Sequence, residues 1–465
     1  MRISRLALAA LVAAVACTDN TPTSSPARPV QRDSASTPSI SASLAAPASL
    51  YSGYSPRSPH WQHITTMMTD FYYSWTPTER AWAGAHYDMA MSGSGSAWRA
   101  VNPTVSHYPY ALFWTTMLPT SGGNNIYSSY YADMKRWFAS HGQYVFEHAF
   151  EHRKDAARDS AGRVAFTRWG TKRWAINPTD PGAMAYTLDR MQRIMASDNG
   201  VFLDEMATGD MHSLLGPMLE TSSYLTYAQS LAPLLGMIQR ATRKRLIPNT
   251  AEYMTPADRA NIVASTGVHL EMFNNFMQSG MIDRWKWIEG LVASGVFVDF
   301  VSTYGTQDVL NLGSKYPRGN SATSAQRAKL WELASYYMVV PASPRLLALQ
   351  LENSWNKPYS TLWIKAQEAN IGHPRAMRVQ VSHGTDPQGN PYIVYTRDFD
   401  RALVVLRLQQ GWNAHTYGDG TAITVPLPKG QKWIPLNADG TVGAARTTIR
   451  LRNSEAAIML KSTAM

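Results

Sequence analysis

The sequence predicts an α/β protein, a (β/α)8 barrel followed by a small antiparallel all-β domain of the β-sandwich kind. Three observations predict it. Short apolar runs of strand length alternate with longer helix-like stretches between residues 86 and 351, the pattern of parallel strands joined by helical crossovers. Past residue 375 the helical stretches stop, and short strand-like runs follow one another between turn clusters. Acidic residues also fall at or near the ends of several earlier runs, where a barrel of this type gathers its chemistry.

The chain opens on Arg2 and Arg5 before an uncharged segment, 6–16, of signal-peptide length and too short to span a bilayer as a helix. It ends Ala14-Val15-Ala16-Cys17, and Cys17 is the one cysteine of the protein. The segment resembles a bacterial lipobox, with Ala14 where Leu is commoner, and the resemblance implies a lipidated Cys17. Ala14-x-Ala16 also fits ordinary signal cleavage and free secretion. From Thr18 to Leu50, 23 of 33 residues are Ser, Thr, Pro or Ala, and all 50 aromatic residues lie beyond. A segment of that composition cannot bury a core and reads as a tether. The expected organisation is a signal peptide (1–16), a lipidated Cys and tether (17–50), the barrel (51–374) and the β-domain (375–465), exported and attached to the cell envelope or secreted.

Composition narrows the function. With 45% hydrophobic and 16% charged residues among 465, the chain builds a sizeable core and is not a disordered protein. No apolar run reaches the roughly 20 residues of a spanning helix. A single cysteine excludes intramolecular disulfides and Cys-based zinc clusters. The net charge of +10 is scattered; its densest run, Arg240, Arg243, Lys244 and Arg245, closes a helix-like stretch, where cations suit the helix dipole. No nucleic-acid-binding motif accompanies it, so no nucleic-acid partner is expected.

Element by element, strands are expected over 86–91, 110–117, 144–148, 200–206, 246–250, 268–273, 296–302 and 345–351, and helices over 127–140, 183–195, 224–240, 281–292 and 322–338. No Gly-x-Gly-x-x-Gly or phosphate-loop motif follows any strand, which disfavours the doubly wound open sheet. In the β-domain, strands are expected over 377–382, 392–396, 402–408, 422–427, 447–451 and 456–460.

The placement of carboxylates carries the functional reading. Gly200-Val201-Phe202-Leu203-Asp204-Glu205 ends an apolar run in two acids, and Val268-His269-Leu270-Glu271-Met272 alternates strictly. Because strand side chains alternate faces and the outward face packs on helices, Val268, Leu270 and Met272 face helices while His269 and Glu271 turn into the barrel. Asp88, Glu147 with His148, Asn249 and Asp299 join this group. Carboxylates converging on one mouth are the equipment of glycoside hydrolysis, in which one acid protonates the leaving oxygen and another attacks the anomeric carbon or activates water. A strand-terminal Asp also caps helices or holds arginines. Glu205, next to Asp204, points the other way and reads as structural.

Gly200-Val201-Phe202-Leu203-Asp204 resembles the fourth-strand signature, GVFLDN, of a bacterial family of glycosyl-hydrolase-like TIM barrels, which is related to polygalactosaminidase-like barrels. Trp174-Ala175-Ile176-Asn177-Pro178 is similar to the third loop of the same family. Val394-Tyr395-Thr396-Arg397-Asp398-Phe399 and Ala402-Leu403-Val404-Val405 look like a run of its C-terminal β-domains. The resemblance implies a glycosidase-type barrel with Asp204 as a catalytic carboxylate and an acid on a later strand as partner, for which Glu271 is the positional choice. Glu205 replaces the usual Asn, and Asp400-Arg401 replaces Glu-Asn-Gly.

The expected site is therefore Asp204 and Glu271 as catalytic pair, with Asp88, Glu147, His148, Trp174, Asn249, His269, Asp299 and Tyr304 shaping substrate subsites. His148 and His152 stand four apart but lack the His-Glu-x-x-His pattern, so no metal and no cofactor are expected. Trp98, Trp114, Trp169 and Trp174 suit either sugar stacking or packing. The expected partners are a carbohydrate substrate and, through its lipid, a membrane; the protein is expected to be a monomer. The rival readings are a non-catalytic carbohydrate-binding surface lipoprotein on a degenerate barrel and a metal-dependent carbohydrate deacetylase.

Overall fold

The computed structural model describes residues 64–68, 76–91, 93–117, 130–154, 156–168, 171–208, 211, 224–250, 255–270, 281–301, 321–342, 346–351, 363–387, 389, 391–409, 421–452 and 455–462. Cys17, the tether, Glu271 and Tyr304 lie outside the described residues.

Among the described residues, in chain order, the first twelve strands are β1 (Ile64–Met68), β2 (Met89–Met91), β3 (Ser106–Tyr108), β4 (Tyr110–Leu112), β5 (Thr115–Met117), β6 (Ala165–Arg168), β7 (Thr171–Ala175), β8 (Gly200–Asp204), β9 (Arg245–Pro248), β10 (Gly267–Leu270), β11 (Phe297–Val301) and β12 (Leu347–Gln350). Strands β10-β11-β12-β1-β2-β3 form one sheet and β4-β8-β9 another, every pairing parallel. Neither sheet closes on itself. Pro109 alone separates β3 from β4; its carbonyl accepts from Phe202 N at 2.9 Å, and Asn199 N donates to His107 O at 3.0 Å. After β9 an isolated parallel bridge joins Asn249 to His269 on β10. Strands β5, β7 and β6 make a separate antiparallel sheet inserted after β4.

Alternation explains the packing. Met89, Met91, Tyr108, Phe202, Ile247, Phe297 and Ala348, drawn from strands of both parallel sheets, form one buried cluster. Their neighbours face the other way: Val201, Leu203 and Leu246 pack with helices Pro181–Ile194 and Tyr224–Thr242, and Val268, Leu270 and Val298 with helices Met281–Ala293 and Ser321–Val339. Gly200 is required where it stands, because a Cβ there would lie 1.9 Å from Arg245 O on the neighbouring strand. Helix Pro256–Ser265 starts from a capping box between Thr255 and Asp258 with Pro at its first turn.

Seven further strands follow: β13 (Val379–Thr385), β14 (Pro391–Asp398), β15 (Ala402–Gln409), β16 (Ile423–Pro426), β17 (Trp433–Leu436), β18 (Thr448–Leu451) and β19 (Ala456–Lys461). All pairings are antiparallel, in a five-stranded sheet β13-β14-β15-β19-β17 and a two-stranded ribbon β16-β18. Val394, Val405, Val425, Trp433, Ile449 and Met459 make a core that draws on both. The other face of the sheet joins the core around helix Ser321–Val339. Here Tyr395, Arg397 and Phe399, two apart on one strand and its continuation, face the same way. The Tyr395 ring meets Trp285 edge-on at 5.6 Å, Phe399 meets Tyr337 at 5.6 Å, and Arg397 Nη1 donates to Tyr337 O at 2.9 Å. Arg378 Nη1 donates to Met338 O at 3.3 Å and pairs with Glu289. Two guanidinium groups thus serve the last turn of a helix that has no basic residue of its own there. Burial pulls the Arg397 guanidinium down to about 10, Glu289 opposing the shift and Arg378 adding to it.

The structure differs from the sequence expectation in several places. The chain from 144 to 148 is no strand; Phe146–Ala149 form a 3-10 turn whose Phe146 packs with Phe138, Phe150 and Trp174. The expected strand 110–117 divides into β4 and β5, which pair with different sheets. Helix Pro77–His86 runs through His86, so β2 begins only at Met89. Strands β1, β3, β6, β7 and β17, and helices Pro77–His86, Gly95–Val101 and Pro256–Ser265, were not expected.

At the amino edge of β3 and β8, Arg99 Nη1 and His107 Nδ1 meet Asp198 Oδ1 at 2.6 and 3.0 Å. Burial raises the Asp198 carboxyl, but hydrogen bonds and charge from His107 and Arg99 outweigh it and leave it lowered. A carboxyl lowered in the folded state stabilises above its unfolded value near 3.9, and that contribution disappears as pH falls through the folded value. Asp198→Asn is therefore expected to lose less stability than the wild type between about pH 5 and about pH 3, read as urea midpoints; parallel pH profiles would remove Asp198 from the acid response. Arg397→Met, which leaves Tyr337 O and Ala376 O without their donor, is expected to cost about 2–3 kcal/mol in urea unfolding; a cost below about 0.5 kcal/mol would show that the cap contributes nothing.

Candidate functional site

In-register parallel pairing places Asp204 level with Leu112 of β4, and the next step of the β8–β9 register sets it beside Asn249. The bridge from Asn249 leads to His269, and His269 pairs with Asp299. Residues in register on adjacent strands point to the same side. Four polar side chains therefore stand in one row across four neighbouring strands. Directly beneath them, two residues earlier, lie Phe202, Ile247 and Phe297 of the buried cluster, with Gly267 completing the row. The row is thus a polar layer on an apolar floor, at the carboxyl ends of β8 and β9 and within β10 and β11.

Hydrogen bonds tie the row together. Tyr110 Oη donates to Asp204 Oδ2 at 2.5 Å, and Asn249 Nδ2 donates to Asp204 Oδ1 at 2.8 Å. Each carboxylate oxygen of Asp204 is held by one neutral donor and keeps further lone-pair capacity. His269 Nδ1 meets Asp299 Oδ2 at 2.6 Å, both side chains fully buried; a carboxylate on Nδ1–H fixes the ring tautomer and orientation. The Phe202 ring stands edge-on to His269 at 4.9 Å.

The turn after Asp204 is held firmly. Glu205 has φ 58, a left-handed conformation uncommon for a residue other than Gly and often found beside active sites. It turns away from Asp204 and pairs with Arg173 of β7, both buried, while Trp114 Nε1 donates to its carbonyl at 2.6 Å. Met206 N donates to Asn249 O at 2.9 Å. Asp258, fully buried, accepts from Thr208 N at 2.9 Å and from Thr208 Oγ1 at 2.6 Å while closing its own capping box with Thr255. The strand that carries Asp204 is thereby fastened to the inserted sheet on one side and to helix Pro256–Ser265 on the other.

Of the residues expected at the site, Asp204, Asn249, His269 and Asp299 come together. Others do not join them. Asp88 precedes β2 and lies at the amino edge of the sheet, since its helix ends only at His86. Glu147 sits in the 3-10 turn and makes a two-pronged ion pair with Arg163, and His148 on the same turn is exposed. Trp174 is buried on β7 among Met134, Phe138, Phe150 and Tyr186, as packing rather than an open platform. Trp114 is likewise buried, stacked on Phe166 at 5.5 Å. Among the described residues no group of three or more His, Cys, Asp or Glu is placed to hold a metal ion. Tyr110 and Arg173 were missed by sequence reasoning. Tyr110 reads as an ordinary strand aromatic, and its one signal is its two-residue offset from Leu112, the partner of Asp204.

No protein-family model and no curated protein sequence matches the chain. Solved structures similar to it include a Paenibacillus sp. cycloisomaltooligosaccharide glucanotransferase (9% identity, TM-score 0.34, over 87% of this chain and 56% of that one). A GH31 alpha-xylosidase from Xanthomonas citri is 13% identical with a TM-score of 0.40, over 87% and 46%. An alpha-amylase from H. orenii is 8% identical with a TM-score of 0.41, over 86% and 100%. The chain spans about half the length of the first two. The chemistry of the site rests on its own geometry.

Proposed function

We propose that the chain is a glycoside hydrolase on a (β/α)8 barrel, with Asp204 as nucleophile or base and Glu271 as general acid. The observation that carries the reading is the row Asp204, Asn249, His269 and Asp299, four polar groups in register on consecutive parallel strands, with Asp204 at the carboxyl end of β8 and its carboxylate gripped by Tyr110 and Asn249. Closure of the barrel is supported by the strand order. Counting β3 and β4 as one strand interrupted at Pro109, eight parallel strands follow in the order β1, β2, β3/β4, β8, β9, β10, β11, β12, and β12 pairs again with β1. On that count β8 is the fourth strand. The antiparallel sheet and ribbon of residues 379–461 would be the accompanying β-sandwich.

In this reading Tyr110 and Asn249 orient the Asp204 carboxylate toward an anomeric carbon or a water above the row. An acid on the next strands but one protonates the leaving oxygen. Glu271, one residue past β10 and outside the described residues, takes that part by its position after His269. The fully buried His269–Asp299 pair would brace the row from within rather than touch the sugar, with no metal or cofactor required. A carboxylate separation of about 5 Å would make the enzyme retaining and about 6.5–9.5 Å inverting.

The test is reducing-sugar release from a polysaccharide panel. Release by the wild type is expected to fall by roughly a thousandfold or more in Asp204→Asn and by about tenfold in Tyr110→Phe, which loses one donor to the carboxylate. Equal release by wild type and Asp204→Asn would discard the assignment, and glycan binding without release would favour the non-catalytic binding protein.

The enzyme would lie outside the cytoplasm, held by a lipid on Cys17 or else secreted. In a bacterial host that processes lipoproteins, the wild type is expected to sediment with membranes and Cys17→Ser to stay in the soluble fraction; a soluble wild type would remove the anchor.

A further inference from the structure

The C-terminal sheet holds a cavity of ≈ 560 Å³ that the catalytic reading does not use, lined by Arg375, Met377, Val379, Asp398, Asp400 and Gln431 among others. Its volume lies in the range of small-molecule sites. A second observation falls on the same place: Met377 and Val379, 58% and 56% exposed, are the most exposed large hydrophobic residues among the described ones. Apolar side chains left in water beside a concave polar wall mark a binding surface more often than a bare surface does.

The polar wall is balanced in charge. Arg375 Nε donates to Asp400 Oδ1 at 3.0 Å, and His373 N donates to Asp400 Oδ2 at 2.8 Å. Lys461 Nζ meets Asp398 Oδ1 at 2.8 Å. Two cations and two carboxylates cancel, which gives a polyanion or a polycation no net attraction. What remains available is local. The second oxygen of Asp398 has no partner among the described residues; the terminal nitrogens of the half-exposed Arg375 and the amide of Gln431 supply donors and an acceptor. Neighbouring hydroxyls on a sugar both donate and accept, so adjoining carboxylate, guanidinium and amide groups match them. The C–H face of the ring matches Met377 and Val379.

We propose that this cavity is a binding site for a neutral oligosaccharide, separate from the Asp204 row and independent of whether that row is catalytic. Without an exposed aromatic platform, Trp433 being part of the lining but buried, the affinity is modest, with Kd on the order of 1 mM.

The experiment titrates the full-length Asp204→Asn chain by calorimetry with maltohexaose, cellohexaose, xylohexaose and laminarihexaose, beside hexagalacturonate as an acidic control. Two cavity variants are carried in the same background. Val379→Lys removes the apolar contact and crowds the cavity from an exposed position without adding an aromatic platform, and Asp398→Asn combined with Gln431→Ala removes hydrogen-bonding groups. At least one neutral hexaose is expected to bind, and both variants to weaken it by roughly tenfold or more. Binding that both variants leave unchanged would place the sugar elsewhere and overturn the proposal. So would the absence of binding by every neutral hexaose, or a preference of the cavity for hexagalacturonate. Polysaccharide hydrolysis by the chain with Asp204 intact is read separately, so either reading can fail alone.

Discussion

The site depends on one constraint, in-register pairing of parallel strands. Asp204, Asn249, His269 and Asp299 stand side by side because each occupies the same step of its strand, and the apolar floor lies beneath them because Phe202, Ile247 and Phe297 occupy the step two residues earlier. A slip of one residue in any strand would turn its polar group toward the helices and an aliphatic side chain toward the row. The register is held sterically as well as by hydrogen bonds. Gly200 lets β8 approach Arg245 O more closely than any side chain would allow, and Gly267 does the same against Leu246 O, where a Cβ would stand 2.6 Å away.

The second dependence runs through the carboxyl-terminal sheet. One of its faces completes the core around helices Met281–Ala293 and Ser321–Val339, so this core is shared between the two parts of the chain. The alternate residues Tyr395, Arg397 and Phe399 each do a different job there: an aromatic edge on Trp285, a cap on the helix end and a ring against Tyr337. The cap requires a buried cation, whose desolvation is visible in the lowered Arg397. Such a group is retained for the orphan carbonyls it satisfies, since an apolar side chain of equal size would leave them bare.

Much of this was legible in sequence, and the reasons differ by residue. The strict alternation around His269 is a period-two signal and the apolar run ending in Asp204 marks the end of a strand; with Asn249 and Asp299 grouped beside them, all four residues of the row were named from sequence. The run 144–148 misled because aromatic residues that pack a 3-10 turn have the same composition as a strand. Asp88 misled by boundary alone, since a helix that continues to His86 moves the strand start past it. Trp174 carried no sign that its hairpin would be buried by helices Tyr130–Ser140 and Pro181–Ile194. Tyr110 and Arg173 act across distances of 94 and 32 residues in sequence, and no local pattern announces a partner so remote.

The pairing of β1 with both β2 and β12, Ile64 lying opposite Ala348, has a kinetic consequence. A chain emerging amino end first offers its opening strand only one of its two neighbours until residues 347–350 exist. The entropy of closing so long a loop is met before the contacts that repay it form. Slow acquisition of the native state follows, with unpaired strand edges exposed meanwhile to aggregation and to capture by chaperones.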